Sequence, residues 1–244
     1  MKVCLTIKLS SLKFRNMLVS FSKEDYLKEI YKMSGSNNLR VSTAHLAEKL
    51  EVTNAATSEM AKKLHSQGFV HYEKYKGLKL TAKGEKLALN MLRRHRLWET
   101  FLIKTLDFSW SQVHREAEIL EHQTSDLLID KIDSHLGYPE FDPHGDPIPN
   151  KNGKMPVCPE LISLAEAKVG SSYYVARVDH QNEEVMEYFT SLGIELNTKI
   201  ELMNRLEFDN SIFILFNNKK HSFSATLANK LFVIKKTNED LSGQ

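Results

Sequence analysis

Apolar positions recur at helical spacing behind Ser22, where Tyr26, Leu27, Ile30 and Met33 follow the capping signature "SKED" and predict a first helix ending at Gly35. After the polar "GSNN", the stretch "RVSTAHLAEKLEVTNAATSEMAKKLHSQGFV" predicts two more helices. Ser42 caps Thr43 to Leu50, Thr53 or Asn54 caps Ala55 to Ser66, and Gly68 stops the second. The period then changes to two. "FVHYEKYKGLKLT" alternates apolar and polar residues on either side of Lys76-Gly77, as a short β-hairpin does. Three helices followed by a hairpin make a winged helix-turn-helix.

Helical spacing returns from Thr81 in "TAKGEKLALNMLRRHRLWETFLIKTL", "SWSQVHREAEILEHQTS" and "SDLLIDKIDSHLG". Leu87, Met91, Leu97, Phe101 and Leu102 supply more apolar surface than a lone surface helix needs, which predicts a second copy of the chain as partner. All six prolines fall between Gly137 and Pro159, a stretch that can continue neither helix nor central strand. From Glu160 the strand-like runs "SYYVARV", "KIELMNRLEF", "SIFILFN" and "LFVIKK" surround a helical "NEEVMEYFTSLG", as expected of an SH3-like small β-barrel. The expected fold class is therefore mainly α with a β-rich C-terminal domain. The expected division is a tail (1–21), a winged helix-turn-helix (22–81), a helical metal-binding and dimerisation domain (82–137), a Pro-rich linker (138–159), an SH3-like domain (160–236) and a second tail (237–244). Met17 stands just before the first patterned helix and is an alternative start.

A chain of 244 residues with 41% hydrophobic content supports one or two cores. The net charge of +2 conceals an asymmetry: Met60 to Arg96 carries ten Lys/Arg against two Asp/Glu, and Asp107 to Asp146 carries ten Asp/Glu against two Lys/Arg. The first block suits a phosphate backbone and the second, with its histidines, suits cations. Cys4 and Cys158 stand far apart, which excludes a disulfide framework or a thiolate zinc motif and fits a reducing cytoplasm. No apolar run approaches a signal sequence or a membrane span.

The acidic block contains "VHREAEILEH". On a helix, His114, Glu118, Glu121 and His122 share one face and Glu116 points elsewhere, so that face offers only imidazoles and carboxylates. One helix face rarely completes a metal site. His95 and Glu99, four apart in "RRHRLWE", form a second donor pair, and Asp25 lies in the first turn of the first helix. Singly each has a plainer role: His95 as a phosphate contact, Glu99 as a surface pair, Asp25 as a helix-dipole acid. In the winged motif, Thr53, Asn54, Ala55, Ala56, Thr57 and Glu59 occupy the N-terminal end of the recognition helix, where side chains reach base edges. Arg40, Ser42, Lys62, Lys63, Tyr75, Lys76 and Lys79 are placed for phosphate contacts.

The segments "EDYLKEIY", "YEKYKGLKLTAKG", "RRHRLWETFL", "VHREAEILEH" and "GDPIP" occur in an order that closely resembles the DtxR/MntR family of metal-dependent transcription regulators, in its three-domain form. The resemblance implies a homodimer that binds double-stranded DNA at a palindromic operator and represses metal-uptake genes when loaded. It implies a main metal site of Asp25, Glu118, Glu121 and His122, as in the manganese-responsive branch, and an ancillary site of His95, Glu99 and His114, as in the iron-responsive branch. Donors without sulfur favour Mn²⁺, with Fe²⁺ as the alternative. Lys28 departs from the two-domain manganese branch, which has a further acidic ligand there, and argues against a second cation at the main site. The family's ancillary site can also draw donors from the SH3-like domain, for which Glu184 and Glu187 are the candidates by spacing. Three other readings compete, one of them a purely architectural DNA binder whose affinity would be indifferent to chelators. A second is a winged-helix regulator that does not respond to metal; the third is a metal-dependent hydrolase, which would leave the basic winged motif unexplained. The resembled family consists of regulators, not enzymes.

Overall fold

The structure is a computed structural model that describes residues 23–35, 37–180 and 182–235; the cap Ser22 and the two tails lie outside the described residues. The chain falls into two compact units that divide between Leu92 and Arg93.

The first unit contains α1 (Lys23–Ser34), α2 (Thr43–Lys49), α3 (Asn54–Ser66), β1 (Val70–Glu73), β2 (Gly77–Leu80) and the start of α4 (Ala82–Leu106). Ser42 Oγ accepts from His45 N and Thr53 Oγ1 from Ala56 N, each satisfying an amide that has no partner within its own helix. Thr53, not Asn54, is thus the cap of the recognition helix. Leu27, Ile30, Leu46, Leu64, Leu78 and Ala88 interlock in one core. The hairpin pairs Val70 with Leu80 through Glu73 with Gly77, and Leu78 also bridges Val41 ahead of α2. Gly77 is required twice over: its φ is +89°, and a Cβ there would lie 2.2 Å from the Val41 carbonyl oxygen.

The second unit opens with the remainder of α4, followed by α5 (Trp110–Gln123) and α6 (Asp126–His135). Leu97, Trp98, Leu102, Val113, Ala117, Ile129 and Ile132 form its helical core. A six-stranded antiparallel sheet follows, in the order β3-β8-β4-β5-β6-β7. Its strands are β3 (Ile162–Ser163), β4 (Ser171–Val178), β5 (Lys199–Arg205), β6 (Ile212–Phe216), β7 (Lys219–Phe223) and β8 (Leu231–Ile234), with α7 (Glu183–Leu192) and α8 (Ala225–Ala228) between them. Tyr173, Phe189, Ile200, Ile214 and Phe223 fill the sheet core, and Trp110 of α5 packs against it.

The proline-rich stretch does more than connect. Phe141 bridges Pro147, Asp142 Oδ1 accepts from the amides of His144 and Asp146, and the Val178 amide donates to the His144 carbonyl at 2.8 Å. Side-chain capping by Asp142 replaces the ladder that the prolines forbid, and the loop is fixed against β4. Gly145, at φ +87°, lets it come that close: a Cβ would lie 2.0 Å from the Ala176 carbonyl oxygen.

Candidate metal centres and DNA-binding surface

Three arginines on one turn of α4 hold its neighbours in place. Arg93 pairs with Asp130 at 2.9 Å and Asp133 at 2.8 Å on α6. Arg94 donates to the carbonyls of Glu121 and Thr124 at the end of α5 and to Asp126 at 2.5 Å, capping carbonyls that the helix leaves unsatisfied. Arg96 donates to the Pro147 carbonyl and faces Asp142 at 3.8 Å and Asp146 at 4.0 Å. The end of the basic block is thus matched to the acidic block inside the protein, which leaves these three arginines already engaged there. With Trp98 Nε1 donating to Thr124 Oγ1 at 2.8 Å, α5 is held on α4 in one register.

That register brings the predicted donors together. Val113 and Ala117 point into the helical core, and His114, Glu118 and Glu121 face His95 and Glu99 of α4. Glu118, Glu121 and His122 have donor atoms within 4.8 Å of one another. His95 lies between two carboxylates, with Nδ1 2.6 Å from Glu121 Oε2 and Nε2 3.1 Å from Glu99 Oε1. His114 Nδ1 is 3.1 Å from His95 Nε2 and 3.2 Å from Glu99 Oε1. Burial alone would push the His95 pKa down, but Glu99 and Glu121 outweigh it and hold it at about 9. Despite its own burial, Glu99 stays well below the usual carboxylate range because His95 and His114 face it. Without a cation, a proton on His95 balances these acids. Asp25 is a buried residue in the first turn of α1, in the first unit, and Lys28 is buried one turn later.

Three further donors surround Glu99 that the sequence reading missed: Asp142 and His144 from the proline-rich loop, and His180 just beyond β4. His144 Nδ1 lies 3.9 Å from Glu99 Oε2, and Glu99, Asp142 and His144 place donors within 4.8 Å of one another, as do Glu99, His114 and His180. The His144 ring stacks on His180 at 4.6 Å between centroids. Burial lowers the His144 pKa to about 4, which leaves its imidazole neutral at physiological pH, the form that binds metal. Asp142 is pushed well up by burial and by the charges of Glu99 and Asp146. Glu99 Oε2, Asp142 Oδ2 and both His144 ring nitrogens are buried without a hydrogen-bond partner. Unpaired buried carboxylate oxygens beside the neutral His144 imidazole suit a divalent cation of intermediate hardness. The available signal was "DPHGDP", three potential ligands within five residues of a segment that its prolines marked as linker. Glu184 and Glu187, the candidates from the SH3-like domain, lie on the exposed side of α7, and His180 has a donor atom within 4.8 Å of those of Glu99 and His114.

On the DNA-binding unit, Thr53, Asn54, Ala55, Ala56 and Glu59 are exposed at the start of α3, as are Lys62 and Lys63 along it. Thr57 is a correction: it is completely buried, because one turn of α3 rotates the fourth position inward, so it cannot reach a base edge. Arg40 and Lys76 both pair with Glu73, Lys76 at 2.8 Å, and brace the hairpin against the chain ahead of α2. Ser42, Tyr75 and Lys79 are exposed, with Tyr75 at the hairpin tip 93% accessible.

Three family models match successive parts of the chain. Residues 17–78 match the N-terminal DNA-binding domain of the iron-dependent repressors, residues 81–150 their metal-binding and dimerisation domain, and residues 162–235 the FeoA domain. An uncharacterised HTH-type transcriptional regulator of Methanocaldococcus jannaschii is 39% identical over 47% of this chain and 91% of its own length. The HTH-type transcriptional regulator MntR of Lysinibacillus sphaericus is 36% identical over 46% of this chain and 78% of its own. The solved structure of a manganese-dependent transcriptional repressor in complex with manganese superimposes with a TM-score of 0.79 at 37% identity, covering 88% of this chain and all (100%) of that one.

Proposed function

Because the chain belongs to the iron-dependent repressor family of metal-dependent, DNA-binding transcriptional regulators, we propose that it is a manganese-activated repressor of metal-uptake genes. It acts in the cytoplasm as a homodimer on a palindromic operator. The observation that carries this reading is the convergence of Glu118, Glu121 and His122 on one face of α5, with His95 and Glu99 of α4 beside them. Asp25 joins the α5 donors in the main site, and His95, Glu99 and His114 belong to the ancillary region. Oxygen and imidazole donors without sulfur favour Mn²⁺, and Fe²⁺ is the alternative. Lys28, an ammonium in place of a further carboxylate, argues for a single cation at the main site.

A bound cation would neutralise carboxylates that otherwise repel one another. The protein's own part is to present Asp25 on α1 of the DNA-binding unit and Glu118, Glu121 and His122 on α5 of the other, so that one arrangement of the recognition helices is favoured over the rest. Two such helices about one DNA turn apart, roughly 34–36 Å, read a palindrome. Thr53, Asn54, Ala55, Ala56 and Glu59 face the bases, and Arg40, Ser42, Lys62, Lys63, Tyr75, Lys76 and Lys79 face the phosphates. Family members are transcriptional repressors, and no catalytic role is proposed for any residue. No described helix is long and apolar enough to cross a membrane.

Fluorescence anisotropy on DNA upstream of metal-transport genes, in chelator and then in Mn²⁺ or Fe²⁺ under anaerobic conditions, tests this. Affinity is expected to rise at least about tenfold with metal, about 1.4 kcal/mol of coupling, and Glu121→Ala to abolish the rise. Equal binding in chelator overturns the reading.

A further inference from the structure

Between Met60 and Arg96 the basic block carries two acids, Glu85 and Glu73. Glu85 stands in the first turn of α4, where the helix dipole favours it. Glu73 has no such reason. It is the last residue of β1, with Lys74 and Lys76 directly after it in the wing turn and Lys79 on the paired strand. Its two oxygens are divided between two cations: Oε1 accepts from Arg40 Nη2, and Oε2 lies 2.8 Å from Lys76 Nζ. The hydrogen bond from Lys76 and the charge of Arg40 hold its carboxyl below the usual carboxylate range, so it is ionised. A DNA phosphate offers those cations the same thing, a pair of anionic oxygens. The side chains of Arg40, Glu73 and Lys76 are 37%, 44% and 72% accessible, and ion pairs so exposed add little to stability. Nor does the wing depend on them for its position. Val41 and Leu78 exchange two backbone hydrogen bonds of 2.8 Å, which already tie the hairpin to the chain ahead of α2.

We propose that Glu73 is a built-in competitor for the DNA phosphates: it occupies Arg40 and Lys76 in the free protein and must release them when the wing meets DNA. The inference rests on the reading of Arg40 and Lys76 as phosphate contacts and adds the residue that opposes them. Phosphate contacts are blind to sequence, and without opposition they hold a basic surface on any duplex. Each cation here exchanges a carboxylate for a phosphate, so its net gain on binding is smaller than that of a free side chain. Glu73 is then left beside the phosphates, a like charge at close range. Neither cost depends on metal, because all three residues lie in the DNA-binding unit. Binding is therefore weakened by one factor, with metal and without it. A regulator whose metal response is a fixed ratio gains control only where its metal-free form is released from DNA, and Glu73 lowers the affinity toward that range.

The test is fluorescence anisotropy of the full-length protein on a short duplex of random sequence, in chelator and in Mn²⁺, over a series of salt concentrations. Glu73→Gln keeps the shape of an exposed side chain, thermal unfolding verifies that the fold is retained, and Glu73→Ala repeats the measurement should it not be. The variant is expected to bind about fivefold more tightly for each protomer on the DNA, the size of one interaction between unit charges about 4 Å apart in water. Its plot of log affinity against log salt should steepen by about 0.9 per protomer, as for one further phosphate neutralised. The gain should be the same in chelator and in Mn²⁺. Lys76→Ala should cost less in the wild-type protein than in the Glu73→Gln background, where no carboxylate shares the ammonium. Weaker or unchanged binding by Glu73→Gln overturns the proposal and makes Glu73 a support that positions its cations. So does a gain confined to one metal state, or an equal cost of Lys76→Ala in both backgrounds. Each variant is compared with wild type at fixed metal, so these results are separate from the proposed function, which fails only if Mn²⁺ does not control DNA binding or Glu121→Ala leaves that control unchanged.

Discussion

The donors on α5 and the pocket around Glu99 use the same ligand chemistry but are assembled in different ways. Glu118, Glu121 and His122 come from a single turn and a half of one helix, and the helical period alone places them side by side. The pocket draws Glu99 from α4, His114 from α5, Asp142 and His144 from a proline-rich loop, and His180 from beyond β4. Nothing local brings those segments together. Arg96 ties the loop to α4, Gly145 lets it approach β4, and Trp110 packs α5 against the sheet domain. Donors carried by one helix stay together when their surroundings loosen, and a site assembled from distant segments depends on the residues that dock them.

Breaking the dock is therefore the sharpest way to separate the two regions. Arg96→Ala removes the hydrogen bond to the Pro147 carbonyl and leaves Asp142 and Asp146 with less compensation. Loss of one partner from a largely buried pair predicts a destabilisation of about 3 kcal/mol in metal-free protein, read by urea unfolding. Mn²⁺ affinity at the α5 donors should stay within about twofold, because Arg94 and Trp98 still hold α5 on α4. An equal loss of affinity at both regions would show that they are one cooperative unit and dissolve the comparison.

Gly145→Ala makes the same cut without touching a charge. The added methyl would meet the Ala176 carbonyl oxygen at 2.0 Å, at a φ of +87° that L residues rarely adopt. The loop must shift, at a cost of about 2 kcal/mol. Thermal unfolding should report that loss, and metal analysis should find ancillary metal binding weakened and the main ion retained. Unchanged ancillary loading would mean that Asp142 and His144 do not need the loop's docking against β4.

The same contrast explains how much was legible in the sequence. Periodicity exposed the winged motif, the long helices and the α5 face, because these depend on neighbours three and four residues apart. Asp142, His144 and His180 escaped because prolines mark a loop without saying where it docks. β7 escaped because Lys219 and Lys220 look like turn residues, although lysines on an edge strand protect it from further pairing. Thr57 was misassigned for a related reason: a recognition helix has an inner face as well as an outer one, and its fourth residue belongs to the core. The basic count to Arg96 included three arginines whose carboxylate partners lie more than 30 residues away, in the acidic stretch.

The smallest effect belongs to the residues that spacing alone singled out. Glu184 lies in the first turn of α7, where an acid favours the helix dipole and needs no ligand, and Glu187 follows one turn later on the exposed side. Met186 and Phe189 turn inward to anchor that helix, and the two glutamates stay in solvent. The double substitution Glu184→Gln, Glu187→Gln should leave the metal stoichiometry unchanged and move the stability by no more than about 0.5 kcal/mol, as for surface changes generally. His180→Ala, in the same domain and only four residues before Glu184, should weaken ancillary metal binding by at least about tenfold, since losing a supporting group alone costs that much. Reversal of that order, with the glutamates mattering and His180 silent, would place the SH3-like contribution on α7 and return the pocket to the site that sequence spacing first indicated.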